Sequence, residues 1–460
     1  MSPDEPDALV HAATIAARYR ASLRDRPAYP VDVDIDAIRK SFGELQDYPV
    51  APLDVVDELV SAAEPGIVSS AGPRYFGFVV GGALEAASAA DILTTGWDQP
   101  TYNAISAPSA ALAEDVAGSW LRELLTIPGD ASFGFVTGGQ GANTVCLAAA
   151  RHDVLERAGW DVAADGLAGA PRVRLVVTAE RHGTVDRALR LLGFGTGAIE
   201  AVATDEDGAI DVAELARVLD RGPSGPTIVC LQAGNVDSGS IDDFTGAIAV
   251  AREAGAWVHV DGAFGLWAAA SPRTRHLVAG VEGADSWGTD GHKWLNVPYD
   301  CGYAFTAHPH AHRAAVAYDA AYLHNELAVR APGDFVLESS HRARGFATWA
   351  ALRQLGRTGV ADLIARCCDH ARRFADELGA IDGIEIANRV ALNQVLVRFT
   401  DDETTDRVVR SVQRSGECWM GETTWHGRRL MRISVCEHGT TEADVDRSVA
   451  AIADAFARVG

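Results

Sequence analysis

Between residues 133 and 307, five short apolar runs alternate with amphipathic helical patterns, and this alternation admits very few folds. The runs are FGFV (133–136), RVRLVVTA (172–179), PTIVCLQAG (226–234), AWVHVDGA (256–263) and CGYAFTA (301–307). Between them lie helical patterns such as ANTVCLAAARHDVLERAG (142–159), DVAELARVLDR (211–221) and TGAIAVAREAG (245–255). Strands separated by helices predict a largely parallel sheet covered on both faces. Ligands of such sheets sit at the carboxyl ends of the strands.

The flanks differ in character. Residues 1 to about 70 predict helices broken at Pro27, Pro30, Pro49 and Pro52, and AEDVAGSWLRELL (113–125) is amphipathic. Beyond about residue 340, WAALRQLG and ADLIARCCDHARRFADELGA predict helices. LNQVLVRFT and RLMRISVCE predict strands, and TEADVDRSVAAIADAFARV a closing helix. The expected division is an N-terminal helical segment (1–100), a large ligand-binding domain (101–335) and a smaller α+β domain (336–460).

Bulk properties exclude several classes. With 460 residues, 48% hydrophobic and 22% charged, the chain can bury a large core. A net charge of −23 would repel a phosphate backbone, so nucleic acid is not an expected partner. No apolar run is long enough to span a bilayer. The first twenty residues are acidic where a secretory signal carries positive charge. The seven cysteines form no CxxC pattern, and a reducing, cytoplasmic setting is expected. No metal ligands are expected: HPHAH (308–312) has the composition of a metal-binding tract but also that of a surface loop.

One residue type is nearly missing. Thirty-eight of the forty basic residues are arginine, and the two lysines are Lys40 and Lys293. Lys293 lies in TDGHKWLNVPYDCG (289–302), beside His292 and Trp294. Arginine cannot lose its proton and so cannot act as an amine nucleophile, whereas lysine can. A lysine here can snorkel at the surface or form a Schiff base.

Three further elements fall at strand ends or helix starts. TGGQGANT (137–144) lies between FGFV and a helix, and its glycines let a ligand approach free backbone N–H groups. A plain glycine-rich turn has the same pattern. Asp261 ends the strand-like WVHVD, where a carboxylate can serve a ligand or cap a helix, and the small Ala263 leaves room for something flat. His182 follows RVRLVVTA and can stack on a ring, move protons or be structural. Together these elements fit pyridoxal 5'-phosphate (PLP). That cofactor needs an amine for its aldehyde, a carboxylate for its ring nitrogen, an anion cradle and a partner for its ring face.

The same segments carry a resemblance. GPRYFGFVVGGA (72–83), TGGQGAN, RHGTVDRAL, GNVDSGSIDD (234–243), HVDGAFG, DGHKWLNVPYDCG and the closing RLMRISV…TTEADVDRSVAAI resemble the group II PLP-dependent decarboxylases, relatives of the aromatic amino-acid and glutamate decarboxylases. The resemblance runs from about residue 70 to the C-terminus. It implies a fold type I PLP enzyme: a central, mostly parallel sheet flanked by helices, an N-terminal helical segment and a smaller α+β C-terminal domain. It implies Lys293 as the Schiff-base lysine, Asp261 at the pyridine nitrogen, and Ala263 and His182 on the two ring faces. Gly139 and Gln140 would hold the phosphate, with Asn235 and His292 nearby. A homodimer is implied, its active sites at the interface, with Phe78, Val79 and Gly81, and Tyr102 from the partner chain, around the substrate. The implied reaction is loss of CO2 from an L-amino acid through an external aldimine and a quinonoid carbanion.

One departure bears on the outcome. Such decarboxylases carry a loop tyrosine that protonates the carbanion, but no tyrosine follows Tyr322 here, and Phe335 in APGDFVLESSHRARGF (331–346) aligns with it. Phenylalanine donates no proton. The resemblance therefore leaves several outcomes open. These are protonation by His182, His324 or His341 (the last also suited to an ordinary loop), an oxidative aldehyde synthase, and an aminotransferase or carbon–carbon lyase on the same fold.

Overall fold

All five apolar runs lie in strands of one seven-stranded sheet in the computed structural model, which describes residues 7–318 and 329–459. In chain order the strands are β1 (Ser132–Val136), β2 (Arg174–Thr178), β3 (Ile199–Val202), β4 (Thr227–Gln232), β5 (Trp257–Asp261), β6 (Ser286–Asp290) and β7 (Gly302–Thr306). The sheet order is β1-β7-β6-β5-β4-β2-β3. β7 runs antiparallel to both of its neighbours, and the other pairings are parallel. The largely parallel α/β expectation therefore holds.

Two of these strands escape the apolar-run criterion. β6 reads SWGTD, yet every residue in it is buried. Its polar side chains are satisfied inside the sheet: the Trp257 indole donates to Ser286 Oγ at 3.0 Å, and Thr289 Oγ1 donates to the Gly262 carbonyl at 2.8 Å. β3 is a short edge strand whose Glu200 accepts from Arg174, so only one of its faces is apolar.

The helix Gly139–Arg157 follows β1 and buries eleven residues, including the small run Ala148–Ala150. Its Leu147, Val154 and Leu155 join Leu175 and Val177 of β2 and Ile228 of β4 in one apolar cluster. HPHAH is not a surface loop. It enters the helix Pro309–Val316, whose proline occupies the first turn. His312 is fully buried, with Nδ1 2.9 Å from Ser132 Oγ and Nε2 3.0 Å from the Phe335 carbonyl oxygen. The helical patterns on either side of residue 356 form two helices within Arg344–Gly379, which meet at a kink where Gly356 adopts φ 60°.

Two compact units are present. One comprises Ala83–Arg372 and Asn388–Val395, and the other comprises the chain up to Gly82, Arg373–Ala387 and the chain from Leu396 onward. The early residues thus group with the C-terminal ones, whereas the sequence pattern ends its first block at residue 100. Long-range pairing does this: Phe76 N donates to the Trp419 carbonyl at 2.8 Å and Ser434 N to the Phe76 carbonyl at 2.9 Å. The small sheet orders β8 (Ile384–Ile386), β9 (Gln394–Phe399), β11 (Arg428–Ser434) and β10 (Gly421–Trp425).

Within the larger unit, Glu114 is fully buried and joins an arginine and a histidine that the sequence leaves far apart. Its carboxylate lies 3.3 Å from Arg330 Nη1 and 3.1 Å from His341 Nε2. His341 is therefore a buried partner of Glu114, not an ordinary loop residue. Removing one member of a buried ionic set strands the others without solvent. Glu114→Ala is expected to lower stability by roughly 3–5 kcal/mol, read as a shift in the urea midpoint by circular dichroism.

Candidate active site

Four strand ends and the turn after β4 bring the sequence-predicted residues of the larger unit, Tyr102 apart, to one edge of the sheet. β1 leads through Thr137 into Gly138, the N-cap of the helix Gly139–Arg157. β2 leads to His182, and β4 to Asn235. β5 ends at Asp261, and β6 ends at Asp290, three residues before Lys293.

Gly138 has φ 148°, and a Cβ there would stand 2.7 Å from His292 Cε1. Only glycine allows this approach, which leaves the first N–H groups of the helix facing the sheet edge. Gln140 Nε2 donates to Thr144 Oγ1 and to the Thr184 carbonyl, both at 3.3 Å, while its Oε1 is buried without a hydrogen-bond partner. This is an anion cradle with an orphaned amide oxygen beside it.

Asp261 is held by a relay that the sequence does not reveal. Asn143 Nδ2 donates to Asp261 Oδ2 at 3.0 Å and to Thr184 Oγ1 at 3.2 Å. Asn143 Oδ1 lies 3.1 Å from His259 Nε2, and His259 Nδ1 lies 3.0 Å from Ser286 Oγ, which also accepts from Trp257. With Asn143 Oδ1 as acceptor, His259 Nε2 carries the proton and Nδ1 accepts from the serine hydroxyl. Burial pushes the His259 pKa from 6.5 down to about 4, against the pull of Asp261. The imidazole is therefore neutral near pH 7, and every bond in the relay keeps its direction.

Lys293 Nζ lies 3.1 Å from Asp290 Oδ2. Asp290 is buried, its Oδ1 has no hydrogen-bond partner, and Oδ2 lies 3.1 Å from the place a Cβ on Gly139 would take. Sequence reasoning misses Asp290, because an acid three residues before a lysine is commonplace on surfaces. His292 stacks on Tyr299 with ring centroids 4.0 Å apart and accepts through Nδ1 from the Cys301 N–H at 3.0 Å. Burial lowers its pKa, outweighing the attraction of Asp290.

His182 is solvent-exposed and caps the helix Gly183–Leu191 by accepting from Thr184 N. Ala263 is partly buried, with its N–H 3.3 Å from Asp261 Oδ1. Asn235 is buried and committed to a turn, donating to the Glu180 carbonyl at 3.2 Å and accepting from Asp237 N and Ser238 N. Tyr102 lies beside the pairing of Thr101 with His341, and its carbonyl accepts from Gly333 N at 2.9 Å. Phe335 is no free loop position. Its carbonyl accepts from His312, its ring meets His312 edge-on at 5.1 Å, and Arg330 lies over the same ring at 4.8 Å. His324 falls outside the described residues.

Phe78, Val79 and Gly81 belong to the other unit. There Trp419 stacks on Tyr75 at 5.1 Å and on Phe78 at 5.3 Å. Phe78 and Val79 have φ 60° and 100°, in the left-handed region that a β-branched side chain rarely enters. Phe78 is 62% exposed and Val79 is buried. Such backbone strain, held in place by packing, is common at ligand sites.

The residues present fit PLP. An amine stands beside a buried carboxylate, a second carboxylate is held at a neighbouring strand end, and a glycine-opened helix start supplies anion donors, all on one sheet edge. These features define a PLP-dependent enzyme on an α/β scaffold.

Comparison with known proteins agrees. Residues 41–400 match the family model described as the pyridoxal-dependent decarboxylase conserved domain, and the chain belongs to that family of PLP-dependent amino-acid decarboxylases. It is 28% identical to tryptophan decarboxylase 1 of Oryza sativa subsp. japonica, over 84% of this chain and 80% of that one. It is 26% identical to 4-hydroxyphenylacetaldehyde synthase of Rhodiola rosea, over 93% and 90%. The crystal structure of Oryza sativa TDC with PLP and tryptamine superposes with a TM-score of 0.91 at 25% identity, covering 100% of this chain and 99% of that one.

Two outcomes follow from the geometry. A histidine whose folded pKa is depressed to about 4 stabilises the fold fully above its ordinary 6.5, and that stability is lost as pH falls, because only the unfolded chain takes up the proton. His259→Phe is expected to remove this acid-side slope, on the order of 3 kcal/mol, in denaturation curves collected between those two pH values. Asp290→Asn removes a negative charge next to the anion cradle. PLP should then bind the apoenzyme about tenfold more tightly, a change of about 1.4 kcal/mol, in a fluorescence titration.

Proposed function

We propose that the chain decarboxylates an aromatic L-amino acid, using PLP held at the edge formed by β1, β2, β5 and β6. The observation that carries this reading is the pairing of Lys293 with Asp290 on the same sheet edge as the relay-held Asp261. The aromatic preference is supported by relatives named for tryptophan and tyrosine.

When bound, PLP supplies an electron sink for the charge left on Cα as the carboxylate departs as CO2. Lys293 is the amine that would hold its aldehyde carbon, and Asp290 is the carboxylate 3.1 Å from it. Asp261 would keep the ring nitrogen protonated, its position set by Asn143. The N–H groups of Gly139 and Gln140 would hold the phosphate, with His292 packed against them. His182 and Ala263 would flank the ring. Asn235 serves by bracing the Glu180 segment that leads to His182.

Proton return to Cα needs a donor at this edge. His341 is engaged by Glu114, and the Phe335 side chain has no proton to donate, so neither is placed in that role. His182 is the exposed titratable ring at the edge and takes it in this reading. A second reading, oxidative release of an aldehyde, is favoured by the lack of any tyrosine after Tyr322 and by the relative named as an aldehyde synthase.

A cytoplasmic homodimer completes the proposal. Apolar side chains stand exposed on the helices Glu85–Trp97 and Pro108–Leu124, among them Leu93, Trp97, Leu112 and Val116. Solvent-facing apolar groups of this kind suit a subunit interface. Among the described residues no helix is long and apolar enough to cross a membrane.

The test is a screen of the common L-amino acids with PLP-loaded protein, measuring CO2, amine and oxygen together. Aromatic substrates should give equal CO2 and amine without oxygen uptake. Oxygen consumption with ammonia release would establish the second reading instead. Lys293→Ala should lose the visible absorbance of lysine-bound cofactor and all turnover, and an unchanged spectrum would sink the assignment.

A further inference from the structure

Far from the PLP edge, the same helix that begins at the anion cradle presents a second constellation. His152 and Glu156 lie four residues apart on one face of Gly139–Arg157. His310, from the helix Pro309–Val316, completes a group whose ligating atoms all fall within 4.8 Å of one another. His152 Nε2 and Glu156 Oε2 are 3.8 Å apart, and the two imidazole rings are centred 6.1 Å apart. His152 lies thirteen residues beyond Gly139, roughly 20 Å along the helix axis at 1.5 Å per residue.

The His152 ring carries the observation that matters. Its side chain is only 11% exposed, and both Nδ1 and Nε2 are buried without a hydrogen-bond partner. An imidazole withdrawn from water with both nitrogens unused forfeits two hydrogen bonds, a cost that native proteins avoid or offset with a ligand. Glu156 is 55% exposed and His310 is exposed, so both are free to turn toward a shared ion. The other polar groups nearby are already engaged: His308 pairs with Asp285 at 2.8 Å and Asp153 with Arg157 at 2.7 Å.

We propose that His152, Glu156 and His310 form a binding site for a divalent transition metal of the Zn2+ class. Two imidazoles and one carboxylate are a ligand set that zinc accepts, with water in the fourth position. Zn–N bonds of about 2.0–2.1 Å draw the three ligand atoms closer than they now stand, and rotation of the two exposed side chains supplies the movement. The ion would clip the end of the cradle helix to the helix that follows β7. Its role is structural, because the cluster stands roughly 20 Å along the helix from the cradle.

PLP-loaded, EDTA-treated enzyme titrated with ZnCl2 by calorimetry provides the test. One Zn2+ per chain should bind, with the melting temperature rising by a few degrees and the PLP absorbance unchanged. His310→Ala and Glu156→Gln, both at exposed positions, should each weaken binding about tenfold or more while leaving turnover intact. Co2+ in place of Zn2+ should give a visible spectrum of four-coordinate intensity in the parent and not in the variants. Absence of Zn2+ binding, or binding that both variants retain, overturns the proposal.

Discussion

The site depends on a carboxylate held still inside a protein. Asp261 is buried, and a polar group in that position is costly unless hydrogen bonds replace water. Asn143 provides one at 3.0 Å, and the relay behind it keeps the amide from turning over. His259 donates to Asn143 Oδ1 because Ser286 and Trp257 occupy its other nitrogen's surroundings. Burial holds that imidazole neutral, with a pKa of about 4, so the direction of each bond survives across the physiological range. Were His259 to take up a second proton, its Nδ1 would lose the ability to accept, and the orientation reaching Asp261 would have no anchor.

The relay also explains why β6 can be polar and buried at once. Ser286 at its start completes the relay, Asp290 at its end reaches Lys293, and Gly288 between them leaves space for Asn143, whose Oδ1 would be 2.8 Å from a Cβ there. A strand written SWGTD is thus a site-building element whose side chains point at partners on other strands and on the cradle helix. Hydrogen bonds satisfied within the sheet let its polar side chains share the strand with the fully buried Trp287.

Much of this is legible in the sequence, for a physical reason: strand–helix alternation and residues at strand ends are local patterns. Lys293, Asp261 and the glycine turn announce themselves because amine, carboxylate and cradle are chemically distinct and sit where α/β sheets bind ligands. Asn143 and His259 do not, since a buried asparagine on an Ala-rich helix and a histidine inside a strand acquire meaning only when β5 and β6 lie side by side. Phe335 and His341 look like loop residues in isolation. Their packing against His312 and Glu114 depends on contacts across more than twenty and more than two hundred residues, respectively. The grouping of the chain up to Gly82 with the chain from Leu396 onward is likewise set by pairings such as Tyr75 with Trp419, which no periodicity encodes.

Orphaned polar atoms connect the two halves of the helix Gly139–Arg157. A buried donor or acceptor without a partner costs on the order of 1–3 kcal/mol, so a fold retains one where a ligand relieves it. At the N-terminal end the orphans are Gln140 Oε1 and, at the end of β6, Asp290 Oδ1. Both lie where the phosphate and amine chemistry of PLP is expected, and the helix start adds unsatisfied N–H groups. Toward the other end the orphans include both nitrogens of His152, beside Glu156 and His310. The N–H groups of the helix start attract an anion while the two orphaned oxygens beside them call for donors, and the second set offers lone pairs to a cation. One rigid helix carries both, and its small-residue middle, packed under the sheet, fixes the separation between them.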